Sequence, residues 1–430
     1  MRIVVRASDA RIVREAQAQL SAAGVETLAL AGPARQAPDG EDIAIIPGGQ
    51  DASIAEALMA SGAPPLACLS GLRWASPPPR GLGASSIFAG AVSLDAPPKL
   101  LAAQMEAWIR VAVAEEERTR RGATASALRV APPQSPEPRR LKALYIGAPS
   151  SMFLALERAL AEQDGLVAAA FSSYAGFDHL HDEPFDAVVL NGAQDAQTAI
   201  SLCAALRRNA TLYHLPTMVV VASGDTDTAK AAIDRGASAV ATVNAPTGAS
   251  LGWLFEAVRR ERRRRAAEHD ICALRDLMGD ARTGLWRRGA FDAHLARLAA
   301  DHHASGRPLS LAVLRVLPAH GARAPAEEVW RKGFTEVASL AARLMRDADC
   351  GVTLGGDLIA IALPAANLKS AKRTAERVAS VAECTAFASG DGGAGPLVFE
   401  QSAVELQPGE SGAGMLARAL RAIEVEQIPA

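Results

Sequence analysis

Two short polar segments in the last third of the chain have residue types that can do chemistry. Arg346 and Asp349 stand three positions apart, and Gly355-Gly356-Asp357 follows after a short spacer. An arginine presents a planar fork of donors and an aspartate presents two acceptor oxygens, so together they can bind the edge of a base. A Gly-Gly turn lets the backbone come close to a phosphate. The pattern therefore predicts a site of the nucleotide-binding type.

A helix and a hairpin are needed to position these segments. The apolar spacing of residues 327–345 predicts a helix that ends at the first segment, and residues 351–354 and 358–363 predict two strands joined at the glycines. The next helical stretch carries Arg373 and Arg377 one turn apart on the same face.

The composition excludes several classes of protein. Hydrophobic residues make up 49% and charged residues 21%, with a net charge of -2, which favours a globular protein without an overall affinity for DNA or anionic membranes. The five cysteines form no Cys-x-x-Cys pair, so we expect no zinc site and no disulfide framework. Without a long apolar run or a signal peptide, we expect a cytoplasmic protein with no membrane span.

The order of short apolar runs predicts an α/β fold with a repeated first part. A strand-type run at residues 2–5 and an amphipathic helix at residues 9–23 begin an α/β unit, and the same order returns from residue 141. We predict two tandem doubly wound domains, a linker and a third domain, as follows: domain 1–118, Pro-rich linker 119–139, domain 140–262, connecting helix 263–279 and C-terminal domain 280–430.

Two charged runs lie at the ends of these domains. Residues 115–121 predict a solvated helix end. Residues 259–265 form a block of arginines with one glutamate, for which two interpretations are open. The block is either the exposed surface of the connecting helix or a surface for phosphate or nucleic acid.

The two N-terminal domains resemble the receiver domains of response regulators in the order and spacing of their elements. That family carries an acidic pair after its first strand and a phosphate-accepting aspartate after its third. The corresponding positions here are Arg6-Ala7 and Ile146-Gly147 for the pair, and Pro47 and Asn191 for the acceptor. Neither proline nor asparagine accepts phosphate as a carboxylate does. The resemblance therefore implies flavodoxin-like scaffolds for dimerisation and docking, without phosphorylation.

The C-terminal domain resembles a GGDEF domain, the α/β sandwich of diguanylate cyclases. The resemblance rests on Thr283-Gly284-Leu285 within residues 280–291 and on the Gly355-Gly356 hairpin, and it covers roughly residues 280–425. In that family the hairpin glycines lie against the phosphates of GTP, and two carboxylates hold a pair of divalent ions.

The catalytic positions of the family are replaced in this chain. Arg315 and Leu317 stand where metal-binding carboxylates are expected, and Leu358 replaces the acid after Gly355, Gly356 and Asp357. Residues 318–325 are too rich in proline and glycine to form the guanine-reading helix, and residues 415–426 lack the phosphate-binding lysine. Because an arginine repels the ions that a carboxylate binds, we expect no catalytic residue, no metal, no cofactor and no enzyme activity.

The Arg-x-x-Asp segment resembles the inhibitory site at which GGDEF domains bind cyclic di-GMP. The resemblance implies that Arg346 binds guanine O6 and N7, that Asp349 accepts from guanine N1 and N2, and that Arg377 and Arg373 complete the site. The alternative interpretation of these residues is a solvated helix end with no ligand.

The whole layout resembles receiver–receiver–GGDEF response regulators of the PleD/PopA type. The resemblance implies a non-catalytic cyclic di-GMP effector that forms a homodimer through its receiver-like domains, is located in the cytoplasm and at the cell pole, and acts in cell-cycle control and regulated proteolysis. The implied partners are the adaptor RcdA, the regulator CtrA and the protease ClpXP, with no nucleic acid. Two alternatives are open: a cyclase with product inhibition, and a scaffold that binds no nucleotide.

Overall fold

A computed structural model of the chain describes residues 1–32, 42–48, 52–62, 64–78, 86–131, 133, 139–243, 247–318, 326–384 and 397–425. The chain divides into two compact units. The N-terminal unit consists of Met1–Ala112 and Pro136–Ala266, and the C-terminal unit consists of Val113–Ser135 and Ala267–Ala430.

The N-terminal unit contains two parallel sheets, and helices connect their strands. The strands are β1 (Ile3–Ala7), β2 (Leu28–Ala31), β3 (Ile43–Pro47), β4 (Ala67–Leu72), β5 (Gly90–Ser93), β6 (Lys142–Ile146), β7 (Leu166–Ala170), β8 (Ala187–Asn191), β9 (Thr217–Val221) and β10 (Ala239–Thr242). The helices are α1 (Ala10–Ala22), α2 (Ala52–Met59), α3 (Pro98–Ala127), α4 (Ser151–Ala161), α5 (Ser173–Asp182), α6 (Ala196–Arg208), α7 (Thr226–Asp234) and α8 (Thr247–Met278). The parts of α3 after Ala112 and of α8 after Ala266 belong to the C-terminal unit.

The strand orders confirm the predicted fold class. The two sheets run β2-β1-β3-β4-β5 and β7-β6-β8-β9-β10, which is the flavodoxin-like doubly wound order in both copies. Parallel strands that are covered on both faces must be apolar throughout, and residues 43–46 and 188–190 are fully buried accordingly. The predicted helix at residues 9–23 is α1, which begins after Asp9 because the Asp9 carboxylate accepts from the Arg11 amide.

The C-terminal unit is built on one antiparallel sheet. Its further elements are α9 (Arg288–Ser305), β11 (Leu309–Pro318), α10 (Glu327–Leu344), β12 (Cys350–Thr353), β13 (Leu358–Pro364), α11 (Leu368–Glu383), β14 (Leu397–Glu405) and α12 (Gly412–Val425). The sheet order β12-β13-β11-β14 gives a βαββαβ arrangement. Helices α10 and α11 pack on one face, and α9 and α12 pack on the other, which is the expected α/β sandwich.

The segment between the two doubly wound domains differs from the expected linker. Residues 119–127 continue α3, and their buried side chains include Arg121, Thr124 and Ala125. They are helical because these side chains pack within the C-terminal unit. Residues 132 and 134–138 lie outside the described residues, so the Pro-rich part stays a prediction. The expected connecting helix coincides with the last turns of α8. None of the described helices combines the length and apolar composition that a membrane crossing requires.

Candidate functional site

The Arg346–Asp349 segment forms a turn between α10 and β12 that two reciprocal hydrogen bonds close. The Asp349 amide donates to the Arg346 carbonyl at 2.9 Å, and the Arg346 amide donates to Asp349 Oδ2 at 2.9 Å. Helix α10 ends at Leu344, close to the predicted boundary. The backbone of the turn is therefore fixed, while the Arg346 side chain is exposed.

Helix α11 brings a second arginine to this turn. Its buried face is made of small apolar residues such as Ala375 and Val378, which leaves Arg373 and Arg377 exposed on the other side. The Arg377 guanidinium donates to the carbonyl of Leu344, the last residue of α10, at 3.0 Å. Arg373 lies one turn earlier, and no hydrogen bond or ion pair joins it to the turn within the described residues. The structure thus brings together Arg346, Asp349 and Arg377.

The Asp349 carboxyl lies in an environment that affects its protonation. Its residue is only 7% exposed. Burial raises the pKa of Asp349 to about 6, against the opposing effects of the Arg346 amide and of the charges of Arg346, Arg121 and Arg377. At neutral pH the group is therefore an ionised acceptor, and mild acid converts it to a neutral acid.

Arg121, in the last turns of α3, donates hydrogen bonds to the backbone of the Arg346–Asp349 turn. Its guanidinium donates to the carbonyls of Asp347 at 2.6 Å, Asp349 at 3.1 Å and Ile271 at 3.1 Å, and to the Glu117 carboxylate at 2.7 Å. The side chain is 1% exposed. The expectation that residues 115–121 are a solvated helix end is wrong here, because these contacts satisfy the charge inside the C-terminal unit.

Sequence reasoning missed Arg121, although a signal was present. Glu117 and Arg121 stand four positions apart, which places them on one helix face, and Thr124 continues that face. Thr124 Oγ1 lies 3.1 Å from His294 Nδ1, so the face is directed at another helix. Because these charged residues lie on one face of the helix, the sequence could have indicated a buried ion pair instead of a solvated surface.

Glu117 is the centre of the charge network beneath the turn. Besides Arg121, it contacts Arg120 at 2.6 Å and His294 Nε2 at 3.1 Å. Burial alone would raise its pKa, but the charges and hydrogen bonds of His294, Arg121 and Arg120 hold the pKa of Glu117 at about 2. Glu117 is therefore ionised at all working pH values, and His294 must carry its proton on Nε2 to face it.

The segment that contains Thr283 ties the end of α8 to β12. The Trp286 amide donates to the Gly351 carbonyl at 2.8 Å, and the Arg121 guanidinium lies 5.2 Å from the Trp286 ring centroid. A Cβ on Gly351 would lie 2.8 Å from side-chain atoms of Leu285 and Met345. Glycine at this position therefore permits the close approach that sets β12 beside the turn.

The other end of β12 carries the Gly355-Gly356-Asp357 loop. Gly355 has a φ of +149°, a region that favours glycine, and the Gly356 carbonyl accepts from Trp330 Nε1 at 2.9 Å. These contacts fix the loop without a ligand.

Arg315, at a position where the sequence resemblance expects a metal-binding carboxylate, lies on β11. The strand register places it opposite Leu358 on β13 and Glu400 on β14. Its guanidinium lies 3.3 Å from Glu400 Oε2 and 3.8 Å from Asp357 Oδ2. Arg315 thus pairs with both of these acids.

Leu317 and Leu358, two positions at which the resemblance expects acids, supply no metal ligand. Leu317 has no ligand atom and pairs with Val398 in the sheet. Among the described residues, no cluster of three or more histidine, cysteine or acidic side chains could hold a metal. Residues 319–325, expected to replace the guanine-reading helix, lie outside the described part of the chain.

The positions at which the resemblance expects phosphate acceptors lie at the ends of β3 and β8. Asn191 ends β8, where its Nδ2 donates to the Ala148 carbonyl at 2.9 Å and its Oδ1 accepts from the Ala193 amide at 3.2 Å. A Cβ on Gly147 would lie 2.8 Å from the Asn191 Cβ. In the first copy, Pro47 ends β3 and pairs with Gly71. The amide thus joins two loops where receivers carry a phosphate acceptor.

Comparisons with known proteins give similarity to solved structures alone. The chain matches no known family model and no curated protein. The GGDEF domain of DgcB from Caulobacter crescentus in complex with c-di-GMP is 22% identical, with 35% of this chain and 87% of that chain covered and a TM-score of 0.30. Diguanylate cyclase SiaD from Pseudomonas aeruginosa, in complex with its activator SiaC, is 20% identical, with coverages of 41% and 68% and a TM-score of 0.30. The FimX GGDEF domain from Pseudomonas aeruginosa is 14% identical, with coverages of 34% and 92% and a TM-score of 0.29.

Proposed function

We propose that this protein is a non-catalytic effector that binds cyclic di-GMP at the Arg346–Asp349 turn. The observation that carries the proposal is the convergence of Arg346, Asp349 and Arg377 on one turn whose backbone is fixed before any ligand arrives. Pre-organisation of this kind lowers the ordering cost of binding.

The chemistry of the turn suits a guanine base. The Arg346 amide uses one acceptor direction of Asp349 Oδ2, and the carboxylate keeps further lone pairs for the N1 and N2 hydrogens of guanine. The exposed Arg346 guanidinium can bind guanine O6 and N7 or stack on the base. Arg377 adds positive charge for a phosphate at the same turn.

The catalytic region supports the non-catalytic part of the proposal. Asp357 and Glu400 both pair with Arg315. A divalent ion that bound these two acids would therefore have to displace the guanidinium of Arg315. Phosphoryl transfer to a 3′-hydroxyl depends on such ions to neutralise charge.

The protein partners are proposed from the resemblance to the PleD/PopA type. The two doubly wound domains serve as a scaffold for a homodimer, without phosphorylation, since Pro47 and Asn191 stand at the acceptor positions. The ligand-bound protein then recruits a protease adaptor or a cell-cycle regulator, with RcdA, CtrA and ClpXP as the first candidates. Light scattering at several protein concentrations tests the dimer, and a monomer at every concentration would contradict it.

Titration calorimetry with cyclic di-GMP tests the binding proposal. We expect affinity near micromolar, about -8 kcal/mol. Arg346→Ala should weaken binding by about 1–3 kcal/mol, the scale of a bidentate guanine contact. Arg343→Ala is the matched control, since Arg343 is exposed in the last turn of α10 and outside the turn. Weak and equal heats for wild type and Arg346→Ala would favour the scaffold that binds no nucleotide, and strong and equal heats would place the binding site elsewhere.

Incubation with GTP and Mg²⁺ tests the cyclase alternative. Chromatography should find no cyclic di-GMP above a protein-free blank. Product that accumulates and then stops would favour a cyclase with product inhibition and would contradict the role given to Arg315.

A further inference from the structure

The arginine block at residues 259–265 is not the exposed helix surface that one of its interpretations predicted. In the structure most of its members have carboxylate partners, in the pairs Arg259–Glu256, Arg262–Asp186, Arg264–Glu261 and Arg265–Glu261, with N–O distances of 2.7–2.9 Å. Arg263 donates to the Ala89 carbonyl at 2.9 Å. The block is therefore part of the packing of the N-terminal unit.

Arg260 is the exception within this block. Its guanidinium lies 5.9 Å from the centroid of the Trp108 ring, and among the described residues it makes no hydrogen bond and no ion pair. It lines a cavity of about 200 Å³ between α3, α8 and two loops of the second doubly wound domain. A partly buried charge of this kind is costly unless a counter-charge reaches it.

The cavity carries an excess of positive charge. Its charged lining residues are four arginines and a single acid, Arg110, Arg207, Arg260, Arg264 and Glu261. Glu261 already pairs with Arg264 and Arg265. Arg207 donates to the carbonyls of Gly236, Tyr213 and Leu215, which fix the guanidinium but do not cancel its charge. Arg110 is 3.9 Å from Glu106, an exposed pair that contributes little.

The positive charges around the cavity affect the pKa values of two groups that line it. Burial and the charges of Arg264 and Arg110 lower the pKa of His214, on the cavity wall, to about 4. Burial also lowers the pKa of Arg260, and the charge of Arg110 acts in the same direction, while the charges of Glu256 and Glu261 oppose the shift. His214 is thus neutral at pH 7 and able to donate a hydrogen bond without adding charge.

We propose that this cavity is a binding site for a phosphate group, with Arg260 and Arg110 as its principal contacts. Phosphate is favoured over a monoanion because the lining has a surplus of three positive charges, four arginines against one glutamate. The volume is below the range of roughly 300–1,000 Å³ of pockets that enclose drug-sized ligands. It holds a phosphate but not a nucleoside, so the ligand is either inorganic phosphate or the phosphate of a nucleotide whose remainder stays outside.

Calorimetry of the full chain with inorganic phosphate, against chloride at equal ionic strength, tests the proposal. Arg260→Gln should weaken phosphate binding about tenfold or more, since a hydrogen bond to a charged group contributes about 1.5–3 kcal/mol. Arg259→Gln is the control, because Arg259 is one residue away on α8 and pairs with Glu256. Equal affinities in the two variants, or no heat specific to phosphate in wild type, would overturn the proposal.

Two further readouts separate binding from an effect on folding. Without phosphate, Arg260→Gln should unfold at the same or a higher temperature than wild type, because the substitution removes a partly buried charge that makes no direct ion pair among the described residues. In wild type, phosphate should move the NMR resonance of the His214 ring, and in Arg260→Gln it should not; movement in both would contradict the assignment. A parallel titration with GMP distinguishes the two possible ligands. An affinity for GMP similar to that for inorganic phosphate indicates the phosphate of a nucleotide, and no binding of GMP indicates inorganic phosphate.

Discussion

The two ends of β12 carry similar residue types but present them differently. At its start, three arginines lie around the Asp349 carboxyl, and the guanidinium of Arg346 is exposed. At its end, Arg315 forms ion pairs with the two acids Asp357 and Glu400. The first arrangement leaves donors and an acceptor for a ligand, and the second satisfies its groups internally. The proposed binding turn and the expected catalytic positions are held by different elements, because α3 and α11 contact the turn while β11 and β14 carry Arg315 and Glu400.

The largest expected effect comes from the support behind the turn. Arg121→Ala should reduce the free energy of unfolding of the C-terminal unit by about 3–5 kcal/mol, because it breaks a buried ion pair and leaves the Asp347 and Asp349 carbonyls without a donor. Denaturant unfolding measures this loss. Where the variant folds, its affinity for cyclic di-GMP should also fall.

Arg118→Ala is the control for this substitution. Arg118 is on the same helix but only half-buried, with a side chain that is 42% exposed and lies 3.8 Å from Asp270, so its removal should cost less than about 1 kcal/mol. Equal losses in the two variants would show that Arg121 contributes no more than a surface charge.

The pH dependence of binding should follow Asp349. Guanine N1 and N2 hydrogens need an ionised acceptor, so the affinity for cyclic di-GMP should fall about tenfold per pH unit below the raised pKa of about 6. Without ligand the sign reverses: the folded carboxyl takes up a proton before the unfolded one, so its contribution to stability increases as pH falls from about 6 towards 4.

Asp349→Asn should remove both the pH dependence of binding and the gain in stability in mild acid. Asp347→Asn, at an exposed position of the same turn, should keep both. Calorimetry between pH 7 and pH 5 makes the comparison. An affinity that does not change across this range would exclude Asp349 as a guanine acceptor.

Arg377→Ala should have a smaller effect on binding than Arg346→Ala. Arg377 is exposed and has one bond, to the Leu344 carbonyl, so its loss should weaken cyclic di-GMP binding by about 1 kcal/mol, roughly fivefold. Arg373→Ala should weaken it less, since Arg373 has no described contact with the turn. Calorimetry would contradict this order if Arg373→Ala had the larger effect.

The smallest effect is expected at the opposite end of β12. Arg315→Ala should change cyclic di-GMP affinity by less than about 0.5 kcal/mol, because the site and the substitution share no contact partner. It should also give no turnover of GTP, since Leu317 and Leu358 still supply no metal ligand. A change in affinity as large as that of Arg346→Ala would mean that the two ends are coupled.

Local patterns predicted the two doubly wound domains, whereas the C-terminal sandwich was predicted from the resemblance to GGDEF domains. Uninterrupted apolar runs predicted the parallel strands, and the helical spacing of residues 327–345 predicted α10 to within one residue. The interpretation of Arg315 as a replaced metal ligand came from the family resemblance, and the sheet register places this residue opposite Leu358 and Glu400.

Long-range pairing was not predictable from the same patterns. Arg121 is far in sequence from the carbonyls of Asp347 and Asp349, and a charged helix end looks the same whether a partner surface buries it or water surrounds it. The same limitation applied to the arginine block, whose carboxylate partners include the distant Asp186. Burial of paired charges depends on tertiary contacts that a single sequence does not show.

Hydrogen exchange of the full chain with and without cyclic di-GMP tests the central claim most directly. We predict slower exchange of the Arg346 and Asp349 amides, which close the turn, and of the neighbouring part of α11 around Arg377. The amides of Gly355, Gly356 and Asp357 should not change. Protection of the glycine loop with no change at the turn would contradict the account.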